Sequence, residues 1–291
     1  MSKKQYGGQA VLEGVMMKGK EKVAIAVRKE DEGIVVKETE FALPDYSFLR
    51  WPFIRGVVTL IFTLLLGIRS LSYSANQMAE EEDEEIKPWE MAISIIVAFV
   101  VAIILFVIFP AAIIAAIQSY IPSNLVLNMI EGLIKISAFL AYVFFISRME
   151  DIQRFFQYHG AEHKVIHNYE AEEEVSVENA RRFTTLHPRC GTSFIFLVIL
   201  LSIFFFSIFG RPPLQYRIFY HLLLLPVISG TSYEIIKKAG RENPGFLIRL
   251  LSWPGLMVQK LTTAEPDDAM IEVAITALNN VREQERGEKV V

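Results

Sequence analysis

The stretch YHGAEHKVIHNYE spaces three histidines four apart, His159, His163 and His167, with Glu162 one residue before the second. On a helix that spacing stacks the imidazoles along one side, and neutral imidazoles so placed can bind zinc or another borderline divalent ion. His159, Glu162 and His163 spell H-x-x-E-H, the inverse of the H-E-x-x-H arrangement in which a glutamate activates water on a metal. Glu162 is therefore the candidate general base. Farther along, LHPRCGTSF supplies His187 and Cys190, and Glu234 follows in a late apolar segment. The expected ligand set is His159 and His163, completed by His187 or Glu234, around a divalent metal, zinc foremost. His167 is a third ligand, a hydrogen-bonding partner or a surface histidine. Cys190 can ligate, although the adjacent Gly191 and turn suit a structural role equally well. Arg181, Arg182 and Arg189 can bind an anionic group, or simply reflect topology. No G-x-G-x-x-G, P-loop or G-x-S-x-G pattern stands out, which weakens nucleotide binding and serine hydrolysis.

The elements that position these groups are membrane segments. Mean hydropathy is +0.35 over 291 residues, with 21 phenylalanines. Ala92 to Ile117 runs twenty-six residues without a charge, beyond the roughly 18 that mark a membrane helix. Four spans are expected: the block around 92–117, Asn124 to Ile146, Ser193 to Phe209 and Ile218 to Ile236. Pro110 should kink the first without ending it. Glu131 and Lys135 sit at i,i+4, a spacing that pairs them. Val57 to Ile68, only twelve apolar residues before Arg69, reads as a re-entrant or interfacial helix rather than a span.

The fold class is thus mostly α: a polytopic helical membrane protein with four transmembrane helices, that extra helix, and a small β-containing amino-terminal domain. The divisions are 1–50, a cytosolic β-rich unit; 51–79, the re-entrant or interfacial helix; 91–147, a helix pair; 148–192, the His-containing loop; 193–236, a second pair; and 237–291, an amphipathic tail with Trp253 and a soluble helix near 267–285. In the first unit VAIAVRK and GIVVKETE read as strands about a turn, and GGQAVLEGVMMKG, with four glycines in thirteen residues, suggests tight turns, close backbone approach or a surface loop. The acid run Glu80 to Glu85 reads as a solvated linker.

The 148–192 loop carries six Lys or Arg, the 118–123 link none and the 211–217 link two. The positive-inside rule then places both termini and the histidine loop in the cytosol. Lining up the histidines, LHPRC and Glu234 at one membrane face, and His221 at the other, supports a single site that excludes His221. Net charge is -4 with no strong basic patch, so nucleic acid is not an expected partner; the lipid bilayer is, with a membrane-protein partner or self-association besides. The single cysteine rules out an internal disulfide.

With GGQAVLEGVMMKG, YHGAEHKVIHNYE, TTLHPRCGTSF and SWPGLMVQKLTTAEPDD in order, the chain resembles the YqhQ family of bacterial membrane proteins along nearly its whole length. The resemblance implies an inner-membrane location and metal chemistry at His159, Glu162, His163 and His187, and it directs attention to Glu13 and Gln259. Three functions follow as expectations: a metal-dependent hydrolase at the cytosolic face of the inner membrane, a non-enzymatic scaffold or assembly factor with a structural metal, or a small transporter. Sparse polar groups within the spans weigh against the last.

Overall fold

Strands β1 (Gly7–Val11), β2 (Gly14–Lys18), β3 (Lys22–Lys29) and β4 (Gly33–Glu40) form one antiparallel meander in that order. The computed structural model describes residues 6–29, 33–40, 46–51, 54–79, 86–208, 214–241 and 243–286, with only the backbone at a few of these positions, His221 among them. The acid run 80–85 and the tip 30–32 of the expected β3–β4 turn lie outside the described residues. The two expected strands are β3 and β4. The glycine-rich stretch, in addition, is a hairpin whose turn puts Glu13 at φ 50°, an uncommon conformation for a residue with a Cβ.

The helices are α1 (Ile54–Met78), α2 (Pro88–Ile103), α3 (Phe109–Ile117), α4 (Asn124–Ile146), α5 (Glu150–Glu170), α6 (Val177–Arg181), α7 (Gly191–Ile208), α8 (Leu214–Ala239), α9 (Phe246–Thr262) and α10 (Asp268–Arg286). A π-helical stretch, Ile104–Ile108, joins α2 to α3 just before Pro110. Proline has no N–H to give the preceding turn, and the widened turn lets the rod continue. Glu131 and Lys135 pair at 2.9 Å, as their spacing implies.

Alternation along the strands divides the sheet into two apolar faces. Tyr6, Ala10, Val15, Met17, Ala24 and Ala26 pack beneath α5 and α10, against Tyr158, Val165, Ile271, Leu278 and their neighbours. Val11, Met16, Val23, Ile25 and Val27 face α1 at Leu66. The amino-terminal sheet and the carboxy-terminal helix therefore share one core, although most of the chain separates them.

Among the described residues three helical rods are long and apolar enough to cross a membrane: α1, the continuous α2–α3 rod and α4; α7 is apolar but shorter. The twelve-residue count made α1 too short, because its helix continues to 25 residues through a polar second half. Length and composition therefore do not reproduce the expected four spans. Among the helices, α7 packs against α4, α8 and α9, and the last turn of α9 reaches the histidine row.

Candidate functional site

Helix α5 starts polar and ends buried, and its inner side holds the H-x-x-E-H pattern. The chain then returns across it between residues 171 and 190. Lys164, 3% exposed, donates to the carbonyls of Arg181 and Phe183 at 2.9 and 2.7 Å. Asn168 donates to the Glu174 carbonyl and accepts from the Ser176 N–H. These buried side chains satisfy loop backbone that has no ladder of its own, and so fix the path to His187 and Cys190.

The four imidazoles form a continuous row. Ring centroids lie 4.4 Å apart for His159–His163, 5.5 Å for His163–His187 and 4.6 Å for His167–His187. Three rings meet a backbone carbonyl: His159 Nδ1 that of Thr262 at 2.8 Å, His163 Nδ1 that of Thr185 at 2.5 Å, and His167 Nε2 that of Leu186 at 2.9 Å. A carbonyl can only accept, so in each neutral ring that nitrogen carries the proton and the other keeps its lone pair. Anchoring of this kind orients metal-binding histidines.

Ligand-capable atoms gather in two trios, His159–His163–Cys190 and His167–Glu170–His187, each with its atoms within 4.8 Å of one another. They are chemically different. In the second, Arg189 already pairs with Glu170, the Arg189 N–H occupies His187 Nδ1 at 3.2 Å, and His187 Nε2 stands 3.5 Å from Glu170. That trio has its cation. Burial holds the His187 ring neutral, down to about 3, while Glu170 stays below the ordinary carboxyl range: burial opposes this, but His187 and Arg189 outweigh it.

The first trio contains no lysine or arginine. His159 Nε2 lies 3.3 Å from Cys190 Sγ, and His163 Nε2 lies 3.4 Å from a Glu162 oxygen. Burial disfavours charge on both members of the His159–Cys190 pair. Their mutual attraction nevertheless raises the imidazole to about 9 and draws the thiol well below its usual range. Glu162 is 5% exposed; burial pushes its carboxyl up against the pull of His163 and His159. Anionic sulfur, two oriented imidazoles and a carboxylate in one buried place suit a borderline divalent cation.

The trios divide the expected ligand set. His159 and His163 come together as the spacing implies, but Cys190 joins them, while His187 goes with His167. Glu234 is not in either group: it accepts bonds of 2.8 and 2.5 Å from Arg55 on α1. The expected topology placed it at the same face as the histidines, but the α1–α8 packing gives it a different partner. The arginines offered for an anion are likewise engaged, Arg181 with Asp268, Arg182 with Glu173 and Arg189 with Glu170.

Glu13 and Gln259 support the site without entering it. Glu13 pairs with Arg154 and accepts from the Tyr158 hydroxyl at 3.2 Å, tying the β1–β2 turn to α5. Gln259, fully buried, accepts from the His187 N–H at 2.8 Å and donates to the His187 carbonyl at 2.9 Å and Ser193 Oγ at 2.6 Å. Gly8 was missed by the sequence reading as an individual residue. A Cβ there would lie 2.6 Å from Glu162 Cγ and 2.8 Å from the Met16 carbonyl, so glycine lets β1 lie directly on Glu162. Glu170 was missed too, though it stands three residues after His167 and thus on the same helix side.

Fold and site together define a mostly helical, membrane-associated protein with a small sheet laid over a row of buried and half-buried imidazoles. The chain belongs to the DUF1385 family, described as "Protein of unknown function (DUF1385)", whose model matches residues 51–284. It is similar to "Uncharacterized protein YqhQ" of Bacillus subtilis (strain 168), 34% identical over 293 residues, covering 95% of this chain and 92% of that protein. No solved structure matches.

Proposed function

We propose that the protein is a metal-dependent hydrolase at the cytosolic face of a bacterial inner membrane, with His159, His163 and Cys190 as ligands and Glu162 as general base. The reading rests on one observation: two carbonyl-anchored imidazoles and the Cys190 sulfur converge beside the buried carboxyl group of Glu162. Three protein ligands would hold a bound ion while leaving room for a water, as in catalytic zinc sites. Sulfur and nitrogen donors favour zinc over magnesium or calcium. A divalent ion bound there would supply Lewis-acid chemistry, polarising the electrophile and easing formation of hydroxide near neutral pH. Glu162 then takes the proton from the attacking water and passes it to the leaving group. Its raised proton affinity suits that exchange, because a base works best with a pKa near the operating pH.

The topology proposed with it keeps four crossings, through α2–α3, α4, α7 and α8. In α1 four of the five buried residues, Leu66, Gly67, Ser70 and Ser74, lie in the second half, which meets the sheet. Inserting that half would carry the neighbouring Lys37 and Glu40 into hydrocarbon. Ile54 to Leu65, about 18 Å long at 1.5 Å per residue, is too short for a core roughly 30 Å thick. On this reading α1 dips in and the sheet remains at the cytosolic surface, on the side of the basic loops.

A second reading, an assembly factor with a structural metal, draws on the closeness of Glu162 to His163: as a fourth ligand it would close the site. Cobalt-loaded full-length protein in nanodiscs separates the two. The proposal expects a thiolate-to-cobalt charge-transfer band that Cys190→Ser abolishes. It further expects Glu162→Gln to keep the band while removing turnover on a panel of peptide and phosphoester substrates. Failure to retain any ion after reconstitution with zinc, cobalt, iron or manganese would overturn both readings. Loss of an equivalent of ligand field on Glu162→Gln would favour the structural one.

A further inference from the structure

Where α1 passes from the membrane-facing half to the sheet-covered half, it leaves a cleft of about 600 Å³ against β3 and β4. Phe62, Leu65, Arg69, Ser70 and Tyr73 line it at three- and four-residue steps, so one side of the helix forms the wall. Its floor is apolar at Phe62 and Leu65. Leu65 also belongs to the exposed apolar surface of α1 with Leu60, Ile61 and Leu64. The cleft thus opens onto the surface that lipid tails would cover.

Its other end is polar and cationic. Arg69 is exposed, and its guanidinium has no hydrogen bond or ion pair among the described residues. Lys37 reaches over the Tyr73 ring, 4.5 Å from its centre. Among the described lining residues the one carboxylate, Glu40, is paired with Lys22 at 2.6 Å. Ser70, which lines the cleft, is fully buried, and its hydroxyl has no hydrogen-bond partner among the described residues. A buried hydroxyl left unpaired costs free energy, so a hydroxyl facing a cleft beside a lone guanidinium calls for an acceptor.

We propose that this cleft binds one anionic phospholipid, its phosphate on Arg69 and the Ser70 hydroxyl, its acyl chain along Phe62 and Leu65. Each part of the site matches one part of such a molecule: apolar length continuous with the exposed apolar side of α1, then a donor, then a cation; that this side meets the bilayer rests on the topology proposed above. Arginine pairs with phosphate through charge-assisted, often bidentate bonds. A zwitterionic lipid satisfies the apolar part but carries its own cation beside the phosphate. The bound lipid fastens the sheet to the membrane surface next to the histidine row, and the inference does not depend on any metal there.

The test is native mass spectrometry of delipidated full-length protein titrated with phosphatidylglycerol, phosphatidylcholine or inorganic phosphate. One phosphatidylglycerol should be retained at activation energies that strip phosphatidylcholine. Arg69→Ala should reduce its occupancy by about 10-fold or more, the size expected for a hydrogen bond to a charged group, and Ser70→Ala by a smaller factor. Arg69→Lys keeps the charge and should retain most binding. Arg249→Ala, an exposed arginine on α9, should leave it unchanged. Equal retention of both lipids, displacement by inorganic phosphate, or the same loss from Arg249→Ala as from Arg69→Ala overturns the proposal. Unaltered melting of Arg69→Lys shows that the fold survives a change at this position.

Discussion

Replacing Gln259 with methionine tests whether the loop bearing His187 is held in the way the structure shows. Methionine nearly preserves the volume but removes both hydrogen-bonding ends of a side chain that is fully buried. The His187 N–H loses its acceptor at 2.8 Å, and the His187 carbonyl and Ser193 Oγ lose donors at 2.9 and 2.6 Å. Orphaning a buried polar group costs about 1–3 kcal/mol. Counting only the two backbone groups and allowing for relaxation gives a loss of about 3 kcal/mol. That is a large part of an ordinary stability of about 5–15 kcal/mol. Taking roughly 2–4 °C per kcal/mol, the figure for 150–250 residues, as an upper bound for this 291-residue chain, the melting temperature should fall by up to about 6–12 °C. The assay is thermal unfolding in nanodiscs followed by tryptophan fluorescence, Trp253 being on the same helix as Gln259. Lys260→Met, at the exposed neighbouring position, serves as the control. A Gln259→Met melt within about 2 °C of that control would falsify the clamp.

Two further outcomes are expected. Metal-free protein should lose stability as pH falls from about 6.5 toward 3, since burial holds His187 down to about 3 while the unfolded ring titrates near 6.5. The stability is present above the unfolded value, and the unfolded state takes up the proton first. The slope contributed is at most about 1.4 kcal/mol per pH unit; pH-dependent melts of His187→Gln should be flatter, and an unchanged slope would refute the assignment. Glu234→Gln should weaken the α1–α8 contact with Arg55 yet leave the equivalents of zinc measured by elemental analysis unaltered. A fall in zinc content with an unperturbed melt would return Glu234 to the ligand set.

What could be read from residue order alone follows from local physics. A bilayer selects for unbroken apolar length, so the long block through Pro110 and the helix from Asn124 were legible as rods. The helical period puts residues four apart on one side, so His159 and His163 had to be neighbours once α5 formed. Strand alternation marked β3 and β4. The β1–β2 hairpin was harder to see, because glycine has no side chain to show an alternating pattern, and Gly8 acquires its meaning only from Glu162 lying against it.

The choice of third donor was not local. Cys190, His187 and Glu234 were all expected at one membrane face, and hydropathy cannot rank them. Lys164, Asn168 and the carbonyl-anchored imidazoles set the course of residues 171–190. That course brings Cys190 to His159, gives His187 to Glu170, and leaves Glu234 to Arg55. It depends on hydrogen bonds between groups tens of residues apart, each satisfiable by several partners in the sequence. Only the packed chain, with α9 and the sheet closing around α5, leaves one set within reach.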